Sequence, residues 1–544
     1  MQLMLMWWKK LSKNHREKLI AILPYLITLV SGVSMGLTVA PVGAWFLAWI
    51  ALAPLWVLVV TSASSPLLLA LAWGVGYHGV ALSWITGIHP MNWLGVPWLP
   101  SLAITLFCWS FISLLGGSLV TLWAAAMTRL GQQKTWQRVL FGTAIWCALE
   151  SLWSAGPLWW SSLAYTQSPH NLVILHLGQL SGANTVTAAI VAVNGFIAEA
   201  WINRPAKTSS ASRHLLQRGE PAQSNGSSAP LRFVNKNLAS AAAILITLHL
   251  LGFYLYSRPL AQPPEAALKV GIIQGNIPNE IKLIPQGLRQ AIAGYTTGYY
   301  TLVDQGVDAV LTPETALPYF QRDLPNTSLV QAVAEKGVVA WIGAFGQRER
   351  SYTNSLFTFT GNGEIFSRYD KTKLVPLGEY IPFEGIFGGI VQRLSPLNAH
   401  QVPGTTNQIF YTPFGRAIVG ICYDSAFPEI FRRQAAAGGQ FILSASNDAH
   451  YTASMPFQHH ALDMMRAIET DRWTVRATNT GYSAFVDPHG QTLWISGYKT
   501  YETHAETIYK RDTQTLYVRW GDWLTLLLLA LSVLGWGIPY LLAK

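Results

Sequence analysis

Three side chains, a thiol, a carboxylate and an ammonium, each stand beside an apolar run in this chain. Cys422 ends the run of residues 417–421, and residues 428–437 then have the composition of a helix closed by Gly438 and Gly439. A thiol at a strand end, just ahead of a helix, lies on a sharp turn whose backbone N–H groups favour the thiolate. Taken alone, Cys422 reads equally well as a buried structural cysteine. Glu314 lies in VLTPETALP, residues 310–318, where Pro313 and Pro318 stiffen the turn, and Lys371 and Glu379 lie in KTKLVPLGEY, residues 371–380. Singly, each is an ordinary strand-end carboxylate or an exposed lysine. Gathered at one site, a carboxylate can take a thiol proton, and an ammonium can stabilise charge developing on a carbonyl oxygen.

Together these residues resemble the Glu-Lys-Cys set of the nitrilase superfamily. The wording around Lys371, after QGNIP at 274–278 and before SNDA at 446–449, is similar to that of the bacterial apolipoprotein N-acyltransferases. The resemblance covers nearly the whole chain. It implies an αββα nitrilase-like sandwich joined to a polytopic helical membrane domain. It also implies Cys422 as nucleophile, Glu314 as the base and Lys371 as the oxyanion stabiliser. Glu379 would orient Lys371 or the acyl carbonyl. Tyr423 and Asp424 follow the nucleophile, and Asn447 and Asp448 would shape the site wall. The implied reaction moves an acyl chain from a membrane phospholipid, through a thioester, to the α-amine of a diacylglyceryl-modified apolipoprotein. Three positions depart from the family's wording: Asp424 stands where Glu is usual, and Leu283 and His450 stand where Trp is usual. The departures put in doubt the contacts of Asp424 and the packing of acyl chain or acceptor.

Composition points to lipid. Of 544 residues, 51% are hydrophobic and only 12% charged, about half the charge of an ordinary soluble chain. The net charge of +10 has no aromatic-interleaved basic patch behind it, so no nucleic-acid partner is expected. Lys and Arg instead flank apolar stretches. Three cysteines make no disulfide framework, and no metal-ligand spacing or nucleotide motif is present, so neither metal nor cofactor is expected. His459 and His460 lack further ligands at suitable spacing.

Apolar stretches at 19–39, 42–60, 66–88, 101–127, 139–154, 173–202, 238–256 and 523–543 predict about eight spans. Basic residues cluster before the first span, at Arg129, Lys134 and Arg138, and between Arg204 and Lys236, whereas 89–100 and 155–171 carry no Lys or Arg. The positive-inside rule makes the basic loops cytoplasmic and puts residues 256–523 outside. The expected location is the bacterial inner membrane, with the catalytic part periplasmic. The expected division is a membrane domain at 1–260, a catalytic domain at 261–515 and a last span at 516–544. Residues 205–228 read as a polar cytoplasmic loop.

Strands are expected at 267–274, 308–312, 338–344, 417–421 and 441–445, and hairpins at 356–368 and 483–495. The apolar, glycine-rich run 383–397 reads either as core packing or as a lid, with Ile386, Phe387 and Ile390 toward acyl chains and Gly388 and Gly389 allowing movement. Arg466, Glu469, Arg472 and Arg476 suggest an internal ion-pair network, with phosphate contact the lesser reading. The rival functions are a tethered amidase using water as acceptor and a transporter whose outer domain binds ligand. Eight spans are excessive for an anchor, and ionisable residues within them (His78, Glu150, Glu199) are few.

Overall fold

The computed structural model describes residues 13–62, 65–92, 95–129, 133–204, 235–376, 378–380 and 401–542. The expected lid residues Ile386, Phe387, Gly388, Gly389 and Ile390, and the polar loop at 205–228, lie outside these.

The N-terminal part is a helical bundle. Its helices are α1 (Lys13–Gly36), α2 (Ala53–Thr61), α3 (Pro66–Ala81), α4 (Trp98–Thr128), α5 (Thr135–Ala155), α6 (Ala183–Ile202) and α7 (Lys236–Tyr256). In lipid every backbone polar group must be satisfied within the protein, which is why these apolar stretches become helices. Among the described residues, four helices, α4, α6, α7 and the 17–36 part of α1, are long and apolar enough to cross a membrane. α4, at 31 residues, runs ~46 Å at 1.5 Å per residue. α3 and α4 meet where a Cβ on Gly74 would sit 2.6 Å from the Gly117 Cα, so small residues set their approach.

Not every expected span is one continuous helix. Residues 42–60 hold a 3-10 turn, Trp45–Trp49, and then only the 9 residues of α2, ~14 Å of helix. Pro54 starts α2, and the Leu52 and Ala53 N–H groups donate to Asn194 Oδ1 on α6. Asn194 Nδ2 also donates to the Ala48 carbonyl (2.8 Å), so one side chain satisfies backbone groups that the break leaves without helical partners. The stretch 173–202 is likewise divided, at Gly182 (φ +72), into the short helices Leu172–Leu175 and Gly178–Ser181 and then α6.

The second part is a four-layer sandwich. Its strands are β1 (Ala267–Gln274), β2 (Ala309–Leu311), β3 (Val339–Arg348), β4 (Ser351–Phe359), β5 (Ile365–Asp370), β6 (Phe410–Thr412), β7 (Gly415–Ile421), β8 (Phe441–Ser446), β9 (Thr474–Thr478), β10 (Ala484–Val486), β11 (Thr492–Ile495) and β12 (Glu502–Tyr509). They form sheets ordered β12-β1-β2-β3-β4-β5 and β11-β10-β9-β8-β7-β6. β1, β2 and β3 are parallel, as are β7, β8 and β9. Side chains alternate as strand geometry demands. Val270, Ile272, Leu311 and Trp341 of one sheet meet Val419, Ile421, Leu443 and Val475 of the other in the inner layer. Outward-facing Ile273, Val310 and Ile342 pack under α8 (Pro285–Asp304) and α9 (Ser328–Lys336). Ile418 and Ile442 pack under α10 (Pro428–Ala436) and α11 (Ser454–Thr470), in a cluster that continues into the helical bundle. α12 (Trp523–Leu542) then returns to that bundle beside α5.

Candidate active site

The C-terminal ends of the parallel strands in both sheets point the same way, and the loops leaving them bring the expected residues together. After β2, Thr312 N–H donates to the Trp341 carbonyl (2.9 Å) and Leu317 N–H to the Gly343 carbonyl (3.0 Å). This folds the Glu314 turn tightly over β3, with Thr315 at φ +48. After β7, Cys422 opens a 3-10 turn, Cys422–Ala426, at φ +49. Two non-glycine residues in the left-handed region, one beside the carboxylate and one at the thiol, mark backbone held against its own preference.

Lys371 follows β5 and is 1% exposed. Its Nζ donates to Glu314 Oε1 (2.9 Å) and to Glu379 Oε1 (2.8 Å). Burial pulls the Lys371 pKa down, but Glu314, Glu379 and Cys422 outweigh it and hold the ammonium well above the ordinary lysine value. Asn354 Nδ2 donates to Glu314 Oε1 (2.6 Å), and the Val375 N–H and Gln401 Nε2 donate to Glu379. Both carboxylates are therefore oriented on the ammonium from the other side. Burial and Glu314 push the Cys422 thiol well above its ordinary pKa, with Lys371 pulling the other way. At rest the sulfur is protonated and lies beside a carboxylate able to accept that proton.

Asp424 is fully buried and bridges the two loops. Its carboxylate accepts from Ile421 N–H (3.1 Å), Lys373 N–H (2.7 Å) and Thr372 N–H (3.4 Å). Burial raises its pKa to about 6 against those hydrogen bonds and Lys371. Asn447 Oδ1 accepts from Asn479 Nδ2 (3.0 Å), which also holds the Ile277 carbonyl of the QGNIP segment. Asp448 accepts from Arg476 and lies against His459.

Arg476 also pairs with Asp463, and Arg466 with Glu469, giving the expected internal ion pairs. Arg472 departs from that expectation and bonds the carbonyls of Gly439 and Thr470. Sequence reading passed over Lys282, a lysine 6% exposed whose Nζ donates to the Glu314 carbonyl (3.2 Å). It also passed over Asn354. The first sits in a turn without periodicity, and the second is one polar residue within a strand. Among the described residues, donor atoms of Cys422, Asp448 and His459 lie within 4.8 Å of one another. Both ring nitrogens of His459 are already engaged, by Asp448 Oδ1 (3.1 Å) and the Cys422 carbonyl (2.9 Å).

Residues 31–196 match the family model for the apolipoprotein N-acyltransferase N-terminal domain, and residues 269–515 match that for carbon-nitrogen hydrolases. Along 510 residues the chain is 71% identical to the apolipoprotein N-acyltransferase of Nostoc sp., covering 93% of this chain and 97% of the relative. The chain belongs to the apolipoprotein N-acyltransferase family. The acyltransferase of Synechocystis sp. is 47% identical over 533 residues, covering 92% and 98% of the two chains. An amidase structure from Nesterenkonia sp. aligns with 48% of this chain and 95% of its own, at 20% identity and a TM-score of 0.35.

This acyltransferase seats its Cys422 turn directly on the helical bundle. Tyr423 Oη donates to the carbonyls of Pro157 (2.8 Å) and Trp159 (2.9 Å), and its ring stacks on Trp160. Gln458 of α11 donates to the carbonyls of Ala40 (2.8 Å) and Ala81 (2.9 Å) and accepts from Trp160 Nε1 (2.9 Å). An enzyme whose substrates carry acyl chains thus has its cysteine at the seam between its membrane-embedded and layered parts.

Proposed function

We propose that Cys422, Glu314 and Lys371 carry a two-step acyl transfer from a membrane phospholipid to the α-amine of a diacylglyceryl-cysteine apolipoprotein. Cys422 Sγ attacks the ester carbonyl as Glu314 takes the thiol proton, and Lys371 stabilises the oxyanion. Glu314 returns that proton to the leaving alkoxide, which departs as lysophospholipid and leaves a thioester. The neutral α-amine of the acceptor then attacks the thioester. Its proton passes through Glu314 to the departing sulfur, and an amide remains. The ester is already an activated acyl donor, so the cycle needs no nucleotide.

The observation that carries this reading is the buried Lys371 ammonium bridging Glu314 and Glu379 beside a cysteine held at positive φ. Glu379, Asn447, Asp448, Tyr423 and Asp424 act as supports. The division at 1–260, 261–515 and 516–544, a cytoplasmic-membrane location and a periplasmic catalytic domain complete the reading, supported by the loop charges.

The test uses purified protein in mixed micelles with labelled phospholipid. Without acceptor, label should remain on the protein, be released by neutral hydroxylamine and be discharged by a diacylglyceryl-cysteine peptide. Cys422→Ala should abolish labelling, Glu314→Gln should block it, and Lys371→Ala should slow it ~10²–10³-fold. Persistent labelling of Cys422→Ala overturns the mechanism. Discharge by water as fast as by peptide would favour a hydrolase instead.

A further inference from the structure

α11 lies beneath the nucleophile turn, and its His459 touches both Cys422 and the buried network around Arg476. We propose that His459 is held as an imidazolium and acts as a positioning residue for Cys422, fixing its backbone and favouring its thiolate. This rests on the reading of Cys422 as nucleophile.

Hydrogen-bond chemistry assigns the protons. His459 Nε2 lies 2.9 Å from the Cys422 carbonyl, which can only accept, so Nε2 carries a hydrogen. Nδ1 lies 3.1 Å from Asp448 Oδ1, while Asp448 Oδ2 accepts from Arg476 Nη2 (3.1 Å). A carboxylate paired with a guanidinium is ionised and also only accepts, so Nδ1 carries a hydrogen as well.

Charge balance gives the same answer. Asp448, Asp463, Arg476 and His459 are all 0% exposed. With one guanidinium against two carboxylates the network would bury a net negative charge, which an imidazolium removes. Burial pushes both carboxyl pKa values up, yet His459 and Arg476 together hold them below the ordinary range. His460, the other titratable group facing Asp463 and Arg476, is pushed down to about 3 by burial and Arg476 and so stays neutral. Its Nε2 lies against Thr492 Oγ1 (3.0 Å). With hydrogens on both nitrogens, His459 has no lone pair for a metal, and the Cys422–Asp448–His459 group is not a cation site.

The consequences fall on Cys422. The left-handed conformation of Cys422 is one that non-glycine residues disfavour, and the hydrogen bond from His459 pins the carbonyl of that residue. A ring nitrogen also lies within 4.8 Å of Sγ, and a cation at that range favours the thiolate. Gln458, one residue earlier on α11, holds carbonyls at Ala40 and Ala81, so the same helix ties nucleophile geometry to the bundle.

The test measures the rate of iodoacetamide alkylation of Cys422 in the full-length protein at pH 7, read on the Cys422 peptide by mass spectrometry. Removing the cation in His459→Gln should slow alkylation ~10–10³-fold, because a pKa raised by about one to three units lowers the thiolate fraction by that factor. The double variant His459→Gln with Asp463→Asn restores a neutral network and keeps Asp448, whose charge itself raises the Cys422 thiol. It should melt close to wild type and keep the slow rate, which separates the effect on the thiol from the effect on folding. In ¹⁵N-histidine-labelled protein, the signals lost in His459→Gln should show an imidazolium at pH 7. A wild-type alkylation rate in the double variant, or a neutral-imidazole signal, overturns the proposal. These readouts need no turnover. Failure of the nucleophile assignment appears separately, as acyl labelling that survives Cys422→Ala.

Discussion

Lys282 shows at the scale of one residue what a site asks of its fold. Burial lowers its pKa to about 8 against the pull of Glu314 and Cys422, so the folded protein holds a charged lysine at a cost. Between pH 8 and 10.5 the unfolded chain binds more protons at this position, and the group's contribution to stability rises with pH across that window. Lys282→Met should therefore melt higher than wild type at pH 7, with the gain shrinking as pH rises from 8 to 10.5. Acyl-enzyme formation should fall about tenfold, because the Glu314 carbonyl loses a charged hydrogen-bond donor. A variant that melts lower at pH 7 would contradict the sign. Asp424 gives a second prediction. Its two oxygens accept backbone N–H groups from both loops, so Asp424→Asn sets an amide N–H₂ against at least one of them. A loss of about 1–3 kcal/mol in chemical denaturation is expected. Sequence wording left the shorter Asp424 side chain without assured contacts. The fold closes the gap by bringing residues 372 and 373 to it, a long-range approach that the local sequence does not encode.

At the scale of elements, the strands buried on both faces were legible. β1, β7 and β8 fall where apolar runs placed them, because a strand buried on both faces is written in consecutive apolar residues. β12 was missed: its sequence ETHAETIY is mostly polar, and it gains strand character by pairing antiparallel along β1. The stretch 42–60 misled in the opposite sense, since composition reports preference for lipid but not where Pro54 and a side chain such as Asn194 permit a break. The Glu314 turn depends on one glycine of a neighbouring strand. A Cβ on Gly343 would sit 2.0 Å from the Pro313 carbonyl oxygen and 2.8 Å from the Thr315 nitrogen, both backbone atoms with little freedom to yield. Gly343→Ala should displace Glu314 from Lys371 and reduce acylation ~10²-fold, the usual consequence of a misplacement near 1 Å. Circular dichroism should show the sheets intact. Unchanged acylation would mean that the turn is not what sets the carboxylate.

At the scale of the molecule, the two parts meet at one end of the bundle, and charge distinguishes that end from the other. α5 ends and α6 and α12 begin there, where Asp522 accepts from Ser151 (2.9 Å) and Asn184 (2.6 Å) and Tyr423 reaches Pro157. At the opposite end α5 begins and α6 finishes. There Arg138 pairs with Glu199 through two 2.7 Å hydrogen bonds, close to Lys134 and Arg204 in sequence. The residues that should stay in the cytoplasm thus lie across the bundle from the catalytic sandwich. The loop charges set that basic end apart in the sequence, but the contacts of Gln458 and Tyr423 that join the halves were not legible, because neither residue sits in a pattern that names its partner. The orientation has a direct test. A reporter active only outside the cytoplasm, fused after Pro263, should be active, since that point follows α7 and precedes β1. The same reporter fused between Pro205 and Ser228 should be silent if Arg204, Lys207, Arg213 and Arg218 hold that loop in the cytoplasm, as the positive-inside rule predicts. Replacing those four basic residues by Gln should weaken the bias at the second fusion while leaving the first unchanged, since the charges before α1 and around Arg138 still vote the same way. The reverse activity pattern in the parent fusions would place Cys422 on the cytoplasmic side and remove the basis for a periplasmic reaction.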